Sequence, residues 1–176
     1  MGHNIRIAFL RAVNVGGTGK LAMSDLVQLC QTAGLAKVKT YIASGNVCYV
    51  SPHSAEQDRR LLEAGLLELM GKSTSCFVLD LKQLTSMIEH CPFRDYPGNQ
   101  HVTVILPHRI NAEGLQGVKG QAKELIALGD SCLYIAYPDG MGKSKLLVPA
   151  AQVGTARNFN TLKKMQELAS SLECAG

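Results

Sequence analysis

The period of apolar and polar positions changes several times along this chain, and each change marks an element. Residues 5–11 read as a strand, with Ile7 and Phe9 on one side and Ala8 and Leu10 on the other, which predicts partial burial of both faces. A glycine loop, Asn14-Val-Gly-Gly-Thr-Gly-Lys20, follows it. Leu26, Leu29, Cys30 and Ala33 then fall at the spacing of one helical stripe, and Gly34 supplies the stop. Residues 37–42 alternate again, Ser44-Gly45-Asn46 is a turn signal, and residues 47–50 resume the extended pattern, so this stretch reads as a hairpin. Ser54-x-x-Gln57 is a capping box opening a second helix, whose stripe is Leu62, Gly65, Leu66 and Leu69 and whose end is Gly71. Residues 75–79 predict a fourth strand.

The order strand, helix, strand, strand, helix, strand is the split βαβ, or ferredoxin-like, pattern, in which two helices cover one face of a four-stranded antiparallel sheet. Beyond it, Asp80-x-x-Gln83 caps a helix with the stripe Leu84, Met87, Ile88 and Cys91, and Pro92 closes it. Residues 101–106 predict a strand. Residues 111–128, which include Gly114, Gly117 and Gly120, predict one or two short helices. Residues 131–137 and 145–148 predict strands, and residues 161–172 a terminal helix with Leu162, Met165, Leu168, Ala169 and Leu172 on its apolar side. The expected fold class is therefore α+β: a ferredoxin-like lobe over residues 1–80 and a smaller α+β lobe over residues 81–176. With no low-complexity linker between them, the lobes are expected to pack as one compact unit.

Composition narrows the function classes. A chain of 176 residues with 46% hydrophobic and 18% charged residues is not an extended disordered polymer. The formal charge of +4 is spread evenly along it, without the concentrated basic footprint of a nucleic-acid binder. It has no Trp and only five Tyr and four Phe, a poor supply of base-stacking platforms. The six cysteines form no C-x-x-C pair, which argues against a zinc or iron–sulfur centre and for reduced, buried thiols. No apolar run reaches membrane-spanning length, and the opening residues Met1-Gly-His-Asn-Ile-Arg6 carry no apolar leader, so a cytoplasmic location is expected.

The chemistry-bearing motifs are few. The loop ending in Gly19-Lys20 lacks the defining features of a P-loop: Asn14 stands where glycine is needed and Leu21 where the magnesium-binding hydroxyl belongs. Gly142-Lys-Ser144 has the hydroxyl, but Tyr137 holds the first glycine position and the flanks read as strand, turn, strand. A weaker reading survives for the first loop, in which the amides of Gly16 and Gly17 and the ammonium of Lys20 receive an anion. The alternative is a turn chosen for backbone shape beside a solvated lysine. In Thr155-Ala-Arg-Asn-Phe-Asn-Thr161, Asn158 or Asn160 can cap the terminal helix, and Arg157 offers a planar two-pronged donor beside the positive helix end. The alternative there is a cap with an internal hydrogen-bond network. His90, His101 and His108 have no metal-ligand spacing, and His90 and Cys91 point about 100° apart on a helix. Ser44 is not in a nucleophile elbow. No nucleophile, base, metal or cofactor is assigned, and catalysis stays open.

Five segments also resemble one bacterial family. Phe9-Leu-Arg-Ala-Val-Asn-Val-Gly-Gly17 and Thr40-Tyr-Ile-Ala-Ser-Gly-Asn-Val47 resemble its LRGINVGG and TYIQSGNV motifs. Cys91-Pro-Phe93 stands where NPF is expected, Tyr137-Pro-Asp-Gly-Met-Gly-Lys-Ser-Lys-Leu146 is similar to YPNGFGRSKL, and Thr155–Thr161 is similar to TTRNWNT. The family is the domain of unknown function 1697, and the resemblance implies a two-part α+β fold without implying an activity. Two departures stand out: Ala12 replaces the family's glycine, and Phe159 replaces its tryptophan.

The resulting expectation is a small anionic ligand, phosphate- or carboxylate-bearing, held in an inter-lobe cleft. Arg11, Lys20, Lys145 and Arg157 would supply charge, with Asn14, Gly16, Gly17, Ser44, Asn46, Ser144, Asn158 and Asn160 around them. The competing expectation is a structural or protein-interaction module, monomeric or homodimeric, whose polar motifs only fix turns and packing. A single-stranded nucleic-acid module has the topology but lacks the aromatic strand signature.

Overall fold

The computed structural model describes residues 4–16 and 20–173. The chain divides into two compact units, one running to Leu84 and including the chain from Lys164, the other spanning Thr85–Lys163. Eight strands and four helices are present among the described residues.

In the first unit, β1 (Asn4–Leu10), α1 (Met23–Thr32), β2 (Ala36–Tyr41), β3 (Asn46–Ser51), α2 (Ala55–Met70) and β4 (Cys76–Asp80) follow one another as their sequence patterns predict. The sheet is antiparallel with strand order β2-β3-β1-β4. That order follows from the connections: the α1 crossover leaves room for β3 to insert between β1 and β2, as a split βαβ requires.

Helix α2 begins on the capping box, with the Gln57 amide donating to Ser54 Oγ and the Ser54 amide to Gln57 Oε1. It ends on Gly71 in the left-handed conformation. One sheet face packs Ala8, Leu10, Val47, Tyr49 and Cys76 against Leu26 and Cys30 of α1 and Leu62 and Leu66 of α2. The other face, with Ile7, Phe9, Cys48 and Leu79, is buried as well, which is why β1 lacks a polar side.

The second unit contains part of α3 (Leu81–Glu89), then β5 (His101–Ile105), β6 (Leu125–Leu128), β7 (Cys132–Ala136), β8 (Thr155–Asn158) and the start of α4 (Phe159–Glu173). Its antiparallel sheet has the order β6-β7-β5-β8. Two sequence expectations are corrected here. Residues 111–128 hold only a short 3-10 turn at Ala112–Leu115, and the segment closes as β6, because Gly117 and Gly120 take positive φ. Residues 145–148 form no strand beyond the isolated bridge Leu147–Lys119; the fourth strand is β8, inside the segment read as a polar helix entry. Val102, Val104, Leu133 and Ile135 pack on one face beneath these loops, joined by Leu106 and Val148.

Five described cysteines, Cys30, Cys48, Cys76, Cys91 and Cys132, are buried free thiols. Burial pushes Cys30 up to about 12 and Cys48 to about 11, so both stay protonated and behave as small apolar side chains.

Candidate functional site

The first unit carries Arg11, Asn14, Gly16 and Lys20 in the loop following β1, Ser44 in the loop joining β2 to β3, and Asn46 as the first residue of β3. Gly17 lies outside the described residues. The loops are tied together by Asn14, whose Nδ2 donates to the carbonyls of Leu21 (2.8 Å) and Ala43 (2.7 Å), while its Oδ1 accepts from the Leu21 amide (2.7 Å). Asn46 is fully buried and donates to Tyr41 O and Ser44 Oγ, both at 2.9 Å. Both asparagines therefore hold backbone shape.

That shape is strained. Ala12 has φ 53°, Asn14 55° and Ile42 49°, three of the four positive values among described non-glycine residues. Such conformations cost about 1–2 kcal/mol for an alanine and more for a β-branched residue. Arg11 and Lys20 are exposed on these loops.

In the second unit, Ser144 and Lys145 line a cavity of about 210 Å³ with Gly120, Glu124, Tyr137 and Lys143. Its floor is Glu124, only 8% exposed, whose carboxylate accepts from Ser144 Oγ and from the Ala122 amide. These bonds, led by that from Ser144, hold Glu124 below the usual carboxylate range, so it is ionised at neutral pH. Ser144 Oγ also accepts from the Leu146 amide, 3.1 Å away. Gly120 allows the two walls to approach: a Cβ there would sit 2.1 Å from the Lys145 carbonyl oxygen. At the rim Lys123 pairs with Asp139 at 3.0 Å, whereas Lys143 and Lys145 have no ion-pair partner among the described residues. Sequence reasoning identified Ser144 and Lys145 but missed Glu124, Tyr137 and Lys143. The one signal available for Glu124 was its place just ahead of the apolar run of residues 125–128.

Arg157, Asn158 and Asn160 do not line this cavity. Arg157 lies on β8, 7% exposed, with Nη1 donating to Thr155 Oγ1 (2.7 Å) and Ala156 O (2.9 Å). Burial lowers it to about 10. Asn158 is the cap of α4, its Oδ1 accepting from the Thr161 amide at 2.9 Å. Asn160 lies against Gly98, whose carbonyl accepts from the Phe159 amide.

Cys91 finds a different histidine from its sequence neighbour. Its Sγ is 3.7 Å from Nδ1 of His101, while His90 Nδ1 turns to Ser86 O at 2.8 Å. His101 is fully buried and stacks on Phe159 with ring centroids 4.7 Å apart. Burial raises the Cys91 thiol and lowers the His101 imidazole. Both shifts favour neutral forms, the reverse of an activated thiolate–imidazolium pair. Among the described residues no cluster of His, Cys, Asp and Glu could hold a metal ion, and no helix is long and apolar enough to cross a membrane.

A family model for a protein of unknown function, DUF1697, matches residues 4–134. The chain belongs to the DUF1697 family. No curated protein matches it. Among solved structures it is similar to the conserved bacterial protein SP0830 from Streptococcus pneumoniae, with 21% identity over 96% of this chain and 99% of that one, and a TM-score of 0.78. At that identity the likeness speaks for the fold alone. In this DUF1697 chain the departure at Ala12 has a visible consequence, since the position adopts the left-handed conformation that a glycine would take without strain.

Proposed function

We propose that this DUF1697 protein binds a small anionic ligand, phosphate- or carboxylate-bearing, in the cavity of its second unit. The observation that carries this reading is a pair of ammonium groups, Lys143 and Lys145, with no ion-pair partner among the described residues, lining a polar hollow. Lys123 and Asp139 neutralise one another there, and the oxygens of Glu124 are already engaged by Ser144 and Ala122. A volume near 210 Å³ is below the range of about 300–1,000 Å³ usual for drug-sized ligands, which favours an oxyanion or short carboxylate over a nucleotide. The loop pair of the first unit, with exposed Arg11 and Lys20 on a strained backbone, offers the same chemistry at a second place.

Titration with inorganic phosphate and then with succinate, followed by thermal melting, tests this. Saturable stabilisation of about 2.7 kcal/mol is expected at a hundred times the Kd. Replacing Lys143 and Lys145 by Ala removes that gain and leaves the unliganded melting within about 0.5 kcal/mol, because both side chains are exposed. Loss of the gain on Arg11→Ala with Lys20→Ala instead moves the site to the first unit. If neither anion changes the melting, the ligand-binding reading falls and the interaction-module reading takes its place.

A further inference from the structure

The outer side of α1 and α2 in the first unit is not the charged surface that a solvent-facing helical layer normally presents. A groove of about 600 Å³ runs between the two helices. Asp25, Leu29 and Ala33 line it from α1 and the turn that follows; Leu61, Glu68 and Leu69 line it from α2. These positions repeat at helical spacing over eight residues on each side, so the groove is about 12 Å long, a little over two turns. Gly65 forms its floor: a Cβ there would meet Leu29 Cγ at 2.9 Å, so glycine is what lets the helices approach and leaves the channel open.

The composition of this channel is unusual in two ways. Leu61 is 41% exposed and Leu69 48%, although the remainder of α2 is rich in charge. Among the described residues lining it, the ionisable ones, Asp25 and Glu68, are both acidic, and Gln28 and Thr32 add uncharged polar groups. The arginines of α2 lie in its first half and are engaged with carboxylates of the same helix, Arg59 with Glu56 and Glu63, and Arg60 with Glu56. An apolar channel with acidic rims selects a segment that is apolar on one side and cationic on the other. A second copy joined about a two-fold axis would bring acidic rims against acidic rims, which is unfavourable. An anionic lipid surface is repelled for the same reason.

We propose that the α1–α2 groove docks a cationic amphipathic helix of another polypeptide, its apolar residues entering between Leu61 and Leu69 and its basic residues meeting Asp25 and Glu68. This is independent of the anion-binding reading, which concerns other residues.

A fluorescein-labelled leucine–lysine peptide of about 15 residues, long enough to form a helix, is the probe. In anisotropy titrations of the whole protein it binds saturably, and binding weakens as salt is raised. The double variant Leu61→Lys, Leu69→Lys loses affinity by about tenfold or more, since two apolar anchors are removed. The variant Asp25→Asn, Glu68→Gln, which keeps the apolar channel, loses several-fold, and a leucine–glutamate peptide does not bind. Equal affinity of the leucine–lysine peptide for the double-lysine variant overturns the proposal, as does equal binding of the acidic peptide. A concentration-dependent dimer that Leu61→Lys, Leu69→Lys abolishes also overturns it, because the groove would then be covered by a second copy.

Discussion

The two units pair their strands in the same relative order, β2-β3-β1-β4 in one and β6-β7-β5-β8 in the other, yet they are built over by different material. In the first, the crossovers are helices whose leucines fill one sheet face. In the second, the corresponding crossovers are 3-10 turns and loops, with Leu115, Val118, Leu146 and Ala150 contributing only partly buried surface. Strand order is thus fixed by antiparallel pairing and the order of connections, and a helix is one of several ways to cover the sheet. The units also hide different ionisable groups. The first buries Asp58, which accepts from Ser51 Oγ at 2.7 Å; the second buries His101.

That contrast can be attacked through packing first. Leu62 is fully buried between α2 and the sheet, and Leu62→Ala is expected to cost about 2–5 kcal/mol in denaturant unfolding. Leu147, in a loop crossover and 58% exposed, should cost less than about 0.5 kcal/mol on the same change. Equal losses would mean that the loops of the second unit carry as much packing as the helices of the first.

The buried ionisable groups give opposite pH responses. Burial raises Asp58, so the folded chain keeps that proton to higher pH than the unfolded one. Its contribution is present below about pH 3.9 and is lost as pH rises through the folded value. Burial lowers His101, so its contribution is present above about pH 6.5 and is lost as pH falls below that. Each slope is at most about 1.4 kcal/mol per pH unit. Hydrogen exchange across the pH range should show the slope near neutrality flatten in the second unit on His101→Gln. The slope on the acidic side should flatten in the first on Asp58→Asn. If His101→Gln leaves the profile of the second unit unchanged, the imidazole is not held neutral by burial.

Smaller effects separate the helix entries. Ser54→Ala removes the side-chain half of a capping box and leaves the Ser54 amide bonded to Gln57, and Asn158→Ala removes a single cap, so each is expected to cost about 1 kcal/mol. The smallest concerns the strained loop: Ala12→Gly should leave stability unchanged or raise it by up to about 1 kcal/mol. Relief at φ 53° is there opposed by the greater freedom of glycine in the unfolded chain. A clear loss on that change would show that the methyl of Ala12 packs usefully.

Legibility followed signal strength. Ser54 with Gln57 and Asp80 with Gln83 announced their helices because a reciprocal side-chain bond needs a fixed spacing, and each bond is present. Residues 145–148 read as a strand because an apolar run follows the turn of residues 138–143, but a ladder also needs a partner in register, and among the described residues only Lys119 meets Leu147. Thr155–Asn158 looked like a loop because it is polar; its hydrogen bonds go to β5, whose own face carries His101 and Thr103. Of the candidate site, Ser144 and Lys145 were visible through their motif. Glu124 was not, since nothing local says that a carboxylate twenty residues away will accept from Ser144.

By itself the sequence determined the α+β class, the first unit's element order and the positions of its caps, because each of these rests on interactions within a few residues. Tertiary structure alone decided which polar residues are buried and which are open. Arg157 and Asn46, polar by type, turned inward, while Leu61 and Leu69, apolar by type, stayed in solvent. The physical reason is that exposure is a property of what packs on top of a residue, and that material arrives from distant parts of the chain.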